Sequence, residues 1–273
     1  MWLRTFCLLI LSFLTLPAYA GPILGTAGSF GVLGGSTVTN TGPTTINGNL
    51  GVWPGTALTN VPPLTVTGTI NLGDGVAQTA QGDLTTAYNG LVGMSVTADE
   101  TGKDLGTLTL TPGVYKFDSS AQLTGTLTLN AQGNNNALWV FEIGSTLTTA
   151  SASSVDIINP GPTPNEGLFW QVGSSATLGT TTAFEGNIVA LTAITLDTGA
   201  TIACGSALAR NAAVTLDDNI ITTGCSGGGT ITNGVVTALP YAPAPVPEPG
   251  SMALLGSGLF ALAGVVRKRK PRK

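Results

Sequence analysis

Five similar segments recur between residues 120 and 217, and the fourth reads Ala193-Ile194-Thr195-Leu196-Asp197-Thr198. The fifth, Ala213-Val214-Thr215-Leu216-Asp217, repeats it with little change. One leucine recurs in each segment, at Leu123, Leu147, Leu178, Leu196 and Leu216. Self-similarity at intervals of roughly 20–50 residues is the signature of a solenoid, in which each repeat forms one turn. Because the intervals between these leucines are unequal, we predict an irregular β-solenoid whose loops differ in length.

Each leucine segment follows a strongly hydrophobic strand, such as Leu138-Trp139-Val140-Phe141 or Leu168-Phe169-Trp170-Gln171-Val172. A strand that is apolar on both faces has to be covered on both. A helix predicted at about 74–92 offers that cover, because its apolar residues recur at intervals of three and four and Asp74 can cap it. Those residues are Val76, Ala80, Leu84, Ala87 and Leu91. We therefore predict an all-β fold with one long helix packed along one face of the solenoid.

The N-terminus has the features of a secretory signal peptide. Residues 1–20 combine Arg4, an apolar stretch and the small-residue sequence Ala18-Tyr19-Ala20. We expect signal peptidase to cleave after Ala20 and the protein to be exported. The mature domain then covers residues 21–239, which is a length typical of a single domain.

The C-terminus carries a second targeting signal. A Pro-rich linker at 240–249 contains the motif Pro247-Glu248-Pro249, a short apolar segment follows at 250–266, and a basic tail occupies 267–273. The order of these features resembles the PEP-CTERM sorting signal of Gram-negative bacteria. The resemblance implies that a membrane exosortase cuts near the motif and releases the protein to the cell surface or extracellular matrix. Before that cut, the short transmembrane segment would anchor the chain with its basic tail in the cytoplasm. An ordinary C-terminal anchor is the alternative.

The composition of the domain argues against an enzyme. The chain has no histidine, 38 glycines, 42 threonines and only 9% charged residues. Without histidine, neither a catalytic triad nor an imidazole metal site can form. The basic residues Lys103, Lys116 and Arg210 are too few and too scattered to bind nucleic acid. We therefore expect no enzymatic activity, no metal, no cofactor and no nucleic-acid partner.

Two cysteines belong to the mature domain, Cys204 and Cys225, because Cys7 leaves with the signal peptide. Their separation is close to one solenoid turn, which would bring them into neighbouring strands at the same edge. An exported protein can keep a disulfide. We predict a bond between Cys204 and Cys225, with two free thiols as the alternative.

A series of motifs runs through the mature domain from about residue 23 to 222. They are Leu24-Gly25-Thr26-Ala27-Gly28-Ser29-Phe30-Gly31-Val32-Leu33, Asn47-Gly48-Asn49-Leu50-Gly51-Val52, Asp83-Leu84-Thr85-Thr86-Ala87-Tyr88-Asn89, Leu110-Thr111-Pro112-Gly113-Val114-Tyr115, Phe169-Trp170-Gln171-Val172-Gly173-Ser174-Ser175 and Ala207-Leu208-Ala209-Arg210-Asn211. These motifs resemble the ice-binding-like family of microbial exported proteins. The resemblance implies a right-handed β-solenoid of triangular section with one helix along it, and one flat face that binds ice.

The same resemblance suggests where ice would bind, because characterised members use loose steps of the form Thr-Ala/Gly-x-Thr/Asn. Thr198-Gly199-Ala200-Thr201 is a full match, and partial versions follow the other recurring leucines. Since each step comes just after its leucine, we expect the turns to stack these residues on one flat face. The candidate ice-binding residues are Thr56, Thr67, Thr124, Thr126, Thr128, Thr149, Ser151, Ser153, Thr180, Thr182, Thr198, Thr201 and Asn219.

The predicted function is antifreeze activity, or inhibition of ice recrystallisation, by a monomer that adsorbs to ice through this face. The charges of Asp197 and of the pair Asp217-Asp218 near the same edge predict moderate rather than extreme activity. Threonine is also a favoured residue on any solvent-facing sheet. The alternative is therefore an adhesive or structural protein of the cell surface, in contact with an exopolysaccharide matrix and without ice activity.

Overall fold

The computed structural model describes residues 20–61 and 63–241. The motif Pro247-Glu248-Pro249, the apolar segment 250–266 and all of the expected signal peptide except Ala20 lie outside the described residues. Within the described part, no helix is both long enough and apolar enough to span a bilayer. The two hydrophobic clusters of the fold extend from Ile23 to Val236.

Three parallel sheets surround one hydrophobic core, and the chain visits all three in each turn. Sheet 1 consists, in spatial order, of Ile70–Leu72, Asn49–Val52, Phe30–Gly34, Ala207–Ala209, Asn187–Ala190, Gly167–Val172, Leu138–Ile143, Gly113–Phe117 and Ala98–Asp99. Sheet 2 consists of Ala57–Asn60, Thr37–Asn40, Val214–Leu216, Ile194–Leu196, Ala176–Leu178, Leu147–Thr149 and Ala121–Leu123. Sheet 3 consists of Leu64–Val66, Thr44–Asn47, Ile220–Thr222, Thr201–Ile202, Ala183–Phe184, Ser154–Ile158, Thr126–Asn130 and Thr109–Leu110. This arrangement confirms the β-solenoid predicted from the recurring leucine segments.

The turns are not stacked in chain order. The N-terminal strands pack on the last C-terminal turn, where Val32 pairs with Ala207 and Val38 with Val214. The chain then builds the upper end of the solenoid, which we define as the strands within residues 57–72. The helix then connects the upper end to the lower end, which we define as residues 93–123. The remaining turns stack one after another from the lower end toward the N-terminal strands. The helix is therefore the connection that makes this order of strands possible.

The α-helix Gly75–Val92 begins where the Asp74 side chain accepts a hydrogen bond from the Ala77 backbone N–H at 2.9 Å. Its apolar side covers sheet 1, where Leu84, Ala87 and Leu91 share a cluster with outward residues of that sheet. Those outward residues are Val114, Val140, Phe169, Val189 and Leu208. The doubly apolar strands are thus buried on both faces, as their sequences predicted.

A small antiparallel sheet lies beside the helix and is separate from the solenoid. It consists of Gly21–Pro22, Gly229–Thr232 and Val235–Ala238, preceding and following the rest of the domain. The approach is close at Gly90, where an added Cβ would lie 2.8 Å from the Gly234 carbonyl oxygen. A 3-10 helix at Gly25–Ser29 contacts the α-helix on the same side, where Asp83 accepts hydrogen bonds from Thr26.

Aromatic side chains fill the middle of the core. Phe141 stacks on Trp170 with ring centroids 4.0 Å apart, and Tyr115 and Phe184 extend the row on either side. The Trp170 indole N–H donates to the Glu185 carbonyl at 3.0 Å, so its polar atom is satisfied. Trp139 is also fully buried. Neither tryptophan is available as an exposed platform.

Candidate functional site

Sheet 2 presents one row of threonines in exact strand-to-strand register. Its strands alternate buried and outward residues, and the outward residue in the middle of each strand is a threonine in all strands but one. From the upper to the lower end, the row reads Thr59, Thr39, Thr215, Thr195, Thr177 and Thr148, with Gln122 as its last member. We call these six threonines the threonine row. It crosses six neighbouring strands without interruption.

A second outward row of small residues lies beside the threonine row, two positions earlier in each strand. It consists of Ala57, Thr37, Ala213, Ala193, Ser175, Thr146 and Ser120. Neighbouring strands in a sheet are about 4.8 Å apart, and outward residues along a strand are about 6.6–6.8 Å apart. The two rows therefore form a grid of short side chains with two regular repeats. Stacked in-register strands also twist less than those of an open sheet.

The hydroxyl groups of the threonine row have no partner within residues 20–61 and 63–241. In the small-residue row, by contrast, Thr37 donates to the Ala57 carbonyl and Thr146 donates to Ser120. Every residue of the threonine row is exposed or half-buried. The six hydroxyls are thus free to bond water, while the attached methyl groups keep the surface partly apolar.

No charged side chain belongs to the strands of sheet 2. Asp104 forms an isolated bridge with Gln122 at the end of the row, and two further carboxylates, Asp197 and Asp217, directly follow the strands Ile194–Leu196 and Val214–Leu216. The Thr198 hydroxyl on the neighbouring turn donates a hydrogen bond to the Asp217 carboxylate. Both acids therefore lie at the border of the grid, toward sheet 3, and leave its interior uncharged.

Sheet 3 differs from sheet 2 in charge and in regularity. The outward residues at the start of its strands are mixed, and Ile220 replaces a polar residue between Thr201 and Thr45. Asp156 is exposed in the middle of this sheet, and Glu185 lies close by. Burial raises the pKa of Glu185, and the neighbouring charge of Asp156 raises it further. Sheet 3 therefore carries acidic groups where sheet 2 carries none.

Comparison with known proteins decides the family. The family model described as ice-binding-like matches residues 32–222. The chain is also 56% identical over 248 residues to an ice-binding protein of Nostoc sp. (strain HG1), covering 90% of this chain and 87% of that protein. This chain belongs to the ice-binding-like family.

Other relatives of the ice-binding-like domain agree in fold and sequence. An ice-binding protein of Colwellia sp is 34% identical over 221 residues, covering 74% of this chain and 85% of that protein. The crystal structure of an ice-binding protein from the Antarctic ascomycete Antarctomyces psychrotrophicus superimposes with a TM-score of 0.69 at 41% identity, covering 74% of this chain and 98% of the other. A PEP-CTERM protein-sorting motif matches residues 245–270. Both resemblances stated from the sequence are thus confirmed.

Several residues predicted to lie on the ice-binding face of this domain are buried instead. They are Thr149, Ser153, Thr182 and Asn219. The alignment on the recurring leucine was wrong in the second turn, because Thr149, not Leu147, pairs with Leu123 and Leu178. Leu147 pairs with Ala121 and Ala176. Thr149 therefore takes an inward position that a leucine fills in the adjacent turns.

Other predicted residues lie in the corner between sheets 2 and 3 rather than on a sheet. They are Thr124, Ser151, Thr180 and Thr198. The chain turns this corner through left-handed residues in successive turns, with φ of 57° at Ala152, 57° at Thr181, 72° at Gly199 and 54° at Asp218. Because that turn redirects the backbone, residues that follow the leucine leave the plane of sheet 2.

The remaining predicted residues are spread over two further places. Thr126, Thr128 and Thr201 belong to sheet 3, and Thr67 directly follows its strand Leu64–Val66. Thr56 precedes the strand Ala57–Asn60 in the corner between sheets 1 and 2. The expectation that all these side chains share one flat face is wrong.

Alternation of threonine with apolar residues indicates the threonine row in the sequence itself. In the segments Ile194-Thr195-Leu196 and Val214-Thr215-Leu216, threonine stands between two apolar residues. Period-two alternation places that threonine on the outer face of a half-buried strand. The outward residue is therefore the one before the leucine, whereas the steps chosen from the sequence begin after it.

Cys204 and Cys225 form a disulfide in the corner between sheets 3 and 1, with Cα atoms 5.5 Å apart. Cys204 comes shortly after the strand Thr201–Ile202, and Cys225 comes shortly after the neighbouring strand Ile220–Thr222. This corner is remote from the threonine row. Among the described residues, no cluster of three or more carboxylate or thiol side chains is arranged to hold a metal ion.

Proposed function

We propose that this domain binds ice and that sheet 2 is the surface that adsorbs. The observation that carries the proposal is the threonine row, whose six hydroxyls are in register, uncharged and without a partner among the described residues. The relatives in Nostoc sp. (strain HG1) and Colwellia sp, both named ice-binding proteins, support the same function. The residues proposed to contact the ice lattice are Thr39, Thr59, Thr148, Thr177, Thr195 and Thr215.

The side chains of the threonine row suit contact with frozen water. Threonine is stiff at χ1, so little conformational entropy is lost when water orders on it. Each ordered water between protein and lattice costs at most about 2 kcal/mol and often much less. A charged group would hold its own hydration shell in a different arrangement. Many weak contacts on a rigid grid then make adsorption persistent, and ice between adsorbed molecules must grow with a curved front, which lowers the local freezing point.

The border of sheet 2 sets a limit on the activity. Asp197 and Asp217 lie directly beyond the middle strands of the grid. Their hydration shells compete with the lattice on the side that faces sheet 3, while Gln122 ends the threonine row at the lower end. We therefore propose moderate freezing-point hysteresis together with inhibition of ice recrystallisation.

We propose that this activity lies outside the cell, and the sorting motif supports this location. The chain carries a PEP-CTERM motif at 245–270, a signal for export and sorting to the cell surface. We further propose that signal peptidase removes residues 1–20 and that an exosortase cuts near Pro247-Glu248-Pro249. The released domain would then act in the extracellular matrix, where ice grows around the cell.

Thermal hysteresis of residues 21–241 tests both parts of the proposal. The double variant Thr177→Tyr with Thr195→Tyr places two bulky rings in the middle of the threonine row and should abolish hysteresis. The matched control, Thr126→Tyr with Thr201→Tyr, makes the same changes on sheet 3 and should keep it. If the wild-type domain shows no hysteresis and no inhibition of recrystallisation, ice binding is refuted and a matrix role without ice activity takes its place. Equal loss in both variants would refute the choice of sheet 2.

A further inference from the structure

The upper end of the solenoid leaves three strand edges without a neighbour. Ala57–Asn60, Leu64–Val66 and Ile70–Leu72 are the terminal strands of sheets 2, 3 and 1, and within the described residues no strand pairs with their outer edges. Each edge presents backbone N–H and C=O groups that a further strand can bond. Because the three edges belong to one turn, they form a three-sided rim.

The hydrophobic core is also open at this end. Ile70 and Leu72 pair with Leu50 and Val52, which are inward and fully buried, yet their own exposed fractions are 49% and 37%. Leu58, Leu64 and Val66 pack on the core from the same turn and are only partly buried. Val61, on the rim, is 53% exposed. The cross-section of the core is therefore exposed to solvent within the rim.

The lower end is protected, which makes the upper end distinctive. The last turn there carries Asp99, Lys103 and Asp104, and Lys103 forms an ion pair with Glu100 at 2.6 Å. Two of its three edge strands, Ala98–Asp99 and Thr109–Leu110, have two residues each, while the third, Ala121–Leu123, has three, as do two of the upper edges. Short edges and charged residues are the usual means by which proteins prevent strand pairing. From residue 57 to 73 at the upper end, the sequence has no charged residue at all.

Both ends of the described part of the chain lie away from the rim. Gly21 pairs with Ile231 in the small antiparallel sheet. The Pro240 carbonyl accepts a hydrogen bond at 3.1 Å from Asn136, which precedes the strand Leu138–Ile143 in the lower half of sheet 1. Pro240, close to the last described residue, therefore lies in the opposite half of the molecule.

We propose that the upper ends of two copies of this chain dock on each other to form a head-to-head dimer. Only another three-sided rim matches all three edges at once, and two uncharged ends meet without repulsion. A copy turned over by a two-fold axis runs its strands in the opposite direction, so the edges pair antiparallel, which is a stable geometry. The charged lower ends remain outside, so the assembly closes at two subunits and does not grow into a filament. This departs from the monomer expected from the sequence and does not depend on ice binding.

Sedimentation of residues 21–241 over a concentration series tests the dimer. The wild-type domain should sediment at twice the monomer mass. Ile70→Lys places a charge within each rim and should give a monomer, whereas Val96→Lys, at a 44% exposed valine of the lower end, should leave the dimer intact. Because Ile70→Lys can also weaken the fold, a circular dichroism melt shows whether the variant is folded. An equimolar mixture of Ile70→Lys and Ile70→Glu should form the dimer again, because the opposite charges then meet at the interface. A wild-type monomer at every concentration, or a dimer that persists in folded Ile70→Lys, would overturn the proposal.

Discussion

The hydroxyl oxygens of Thr149 and Thr182 lie 2.8 Å apart inside the corner between sheets 2 and 3, shielded from solvent. The Gly179 N–H donates to Thr149 at 2.9 Å, and Thr182 donates onward to the Ala150 carbonyl. Because the Thr182 hydroxyl proton is used in that bond, the Thr149 hydroxyl donates to Thr182. The result is a chain of three hydrogen bonds from the Gly179 N–H to the Ala150 carbonyl. Both residues were expected on the ice surface from their sequence, but they hold two turns together.

Thr149→Val tests that structural role. Valine keeps the shape of the side chain but leaves the Gly179 N–H and the Thr182 hydroxyl each short of a partner, which should cost about 1–3 kcal/mol of unfolding free energy. Chemical denaturation measures the loss. Hysteresis of the folded variant should equal that of the wild type, because position 149 faces the core. A variant with normal stability and reduced hysteresis would show that Thr149 acts at the surface after all.

Gln122→Thr should increase ice activity. Gln122 pairs with Thr148 at the lower end of the threonine row, and its longer amide side chain donates to Thr124 at 3.3 Å. Threonine at this position would extend the row to a seventh strand and add one more hydroxyl and methyl in register. Thermal hysteresis at matched concentration should rise slightly above wild type. Asn130→Thr on sheet 3 is the control, and an equal rise there would argue that threonine content rather than position matters.

Removing the disulfide should lower stability without lowering ice activity. The bond closes a loop of 21 residues in sequence, which predicts a loss of about 3 kcal/mol in Cys204→Ser with Cys225→Ser. The bond lies in the corner opposite sheet 2, so the threonine row keeps its geometry. A calorimetric melt should show a lower Tm, and hysteresis near the freezing point should be unchanged. Loss of hysteresis in a folded variant would mean that this corner contributes to the binding face.

Stability should fall as the pH rises from about 5 to 8, because of Glu142. The residue is only 8% exposed, and burial raises the pKa of its carboxyl from an ordinary 4.5 to about 7, with Lys116 opposing the shift in part. A carboxyl with a raised pKa in the folded state favours folding while it is protonated, and that contribution is lost as the pH rises through the folded pKa. The loss is at most about 3 kcal/mol.

Glu142→Gln separates this effect from other titrations. Glutamine cannot ionise, so the Tm of the variant should depend less on pH and should exceed that of the wild type at pH 8. The pKa of Glu185 is also raised by burial, so a smaller slope of the same sign should remain. Asp74, Asp99 and Asp104 have lowered pKa values and do not titrate in this range. An unchanged slope in Glu142→Gln would contradict the assignment.

The fold was predictable because its signals are local and redundant. The leucine segments show where each turn meets sheet 2, and the doubly apolar strands require the cover that the helix Gly75–Val92 provides. What the sequence did not show was the order of the turns. The pairing of Val32 with Ala207 joins residues far apart in the chain, and no local pattern specifies it.

The site was harder to predict because one residue of register decides which face a side chain occupies. Thr148 and Thr149 are neighbours, yet the first lies in the threonine row and the second is buried. Aligning the second turn on Leu147 shifted that turn by two positions, which hid the inward role of Thr149. Left-handed residues such as Thr181 and Asp218 redirect the backbone at the corner. The Thr-rich segments that follow each recurring leucine therefore lie outside the plane of sheet 2. The corner has no clear signature in the sequence, whereas the outward register is indicated by the alternation in Ile194-Thr195-Leu196 and Val214-Thr215-Leu216.

Partition into growing ice tests the central claim most directly, because it measures adsorption without any assumption about freezing points. Thr195→Asp puts a charge in the middle of the threonine row, and Thr201→Asp puts the same charge on sheet 3 at a residue of similar exposure. When a solution of each protein is frozen slowly onto a cold surface, the wild type and Thr201→Asp should concentrate in the ice. Thr195→Asp should remain in the liquid. Enrichment of Thr195→Asp in the ice, or exclusion of Thr201→Asp alone, would contradict the assignment of sheet 2.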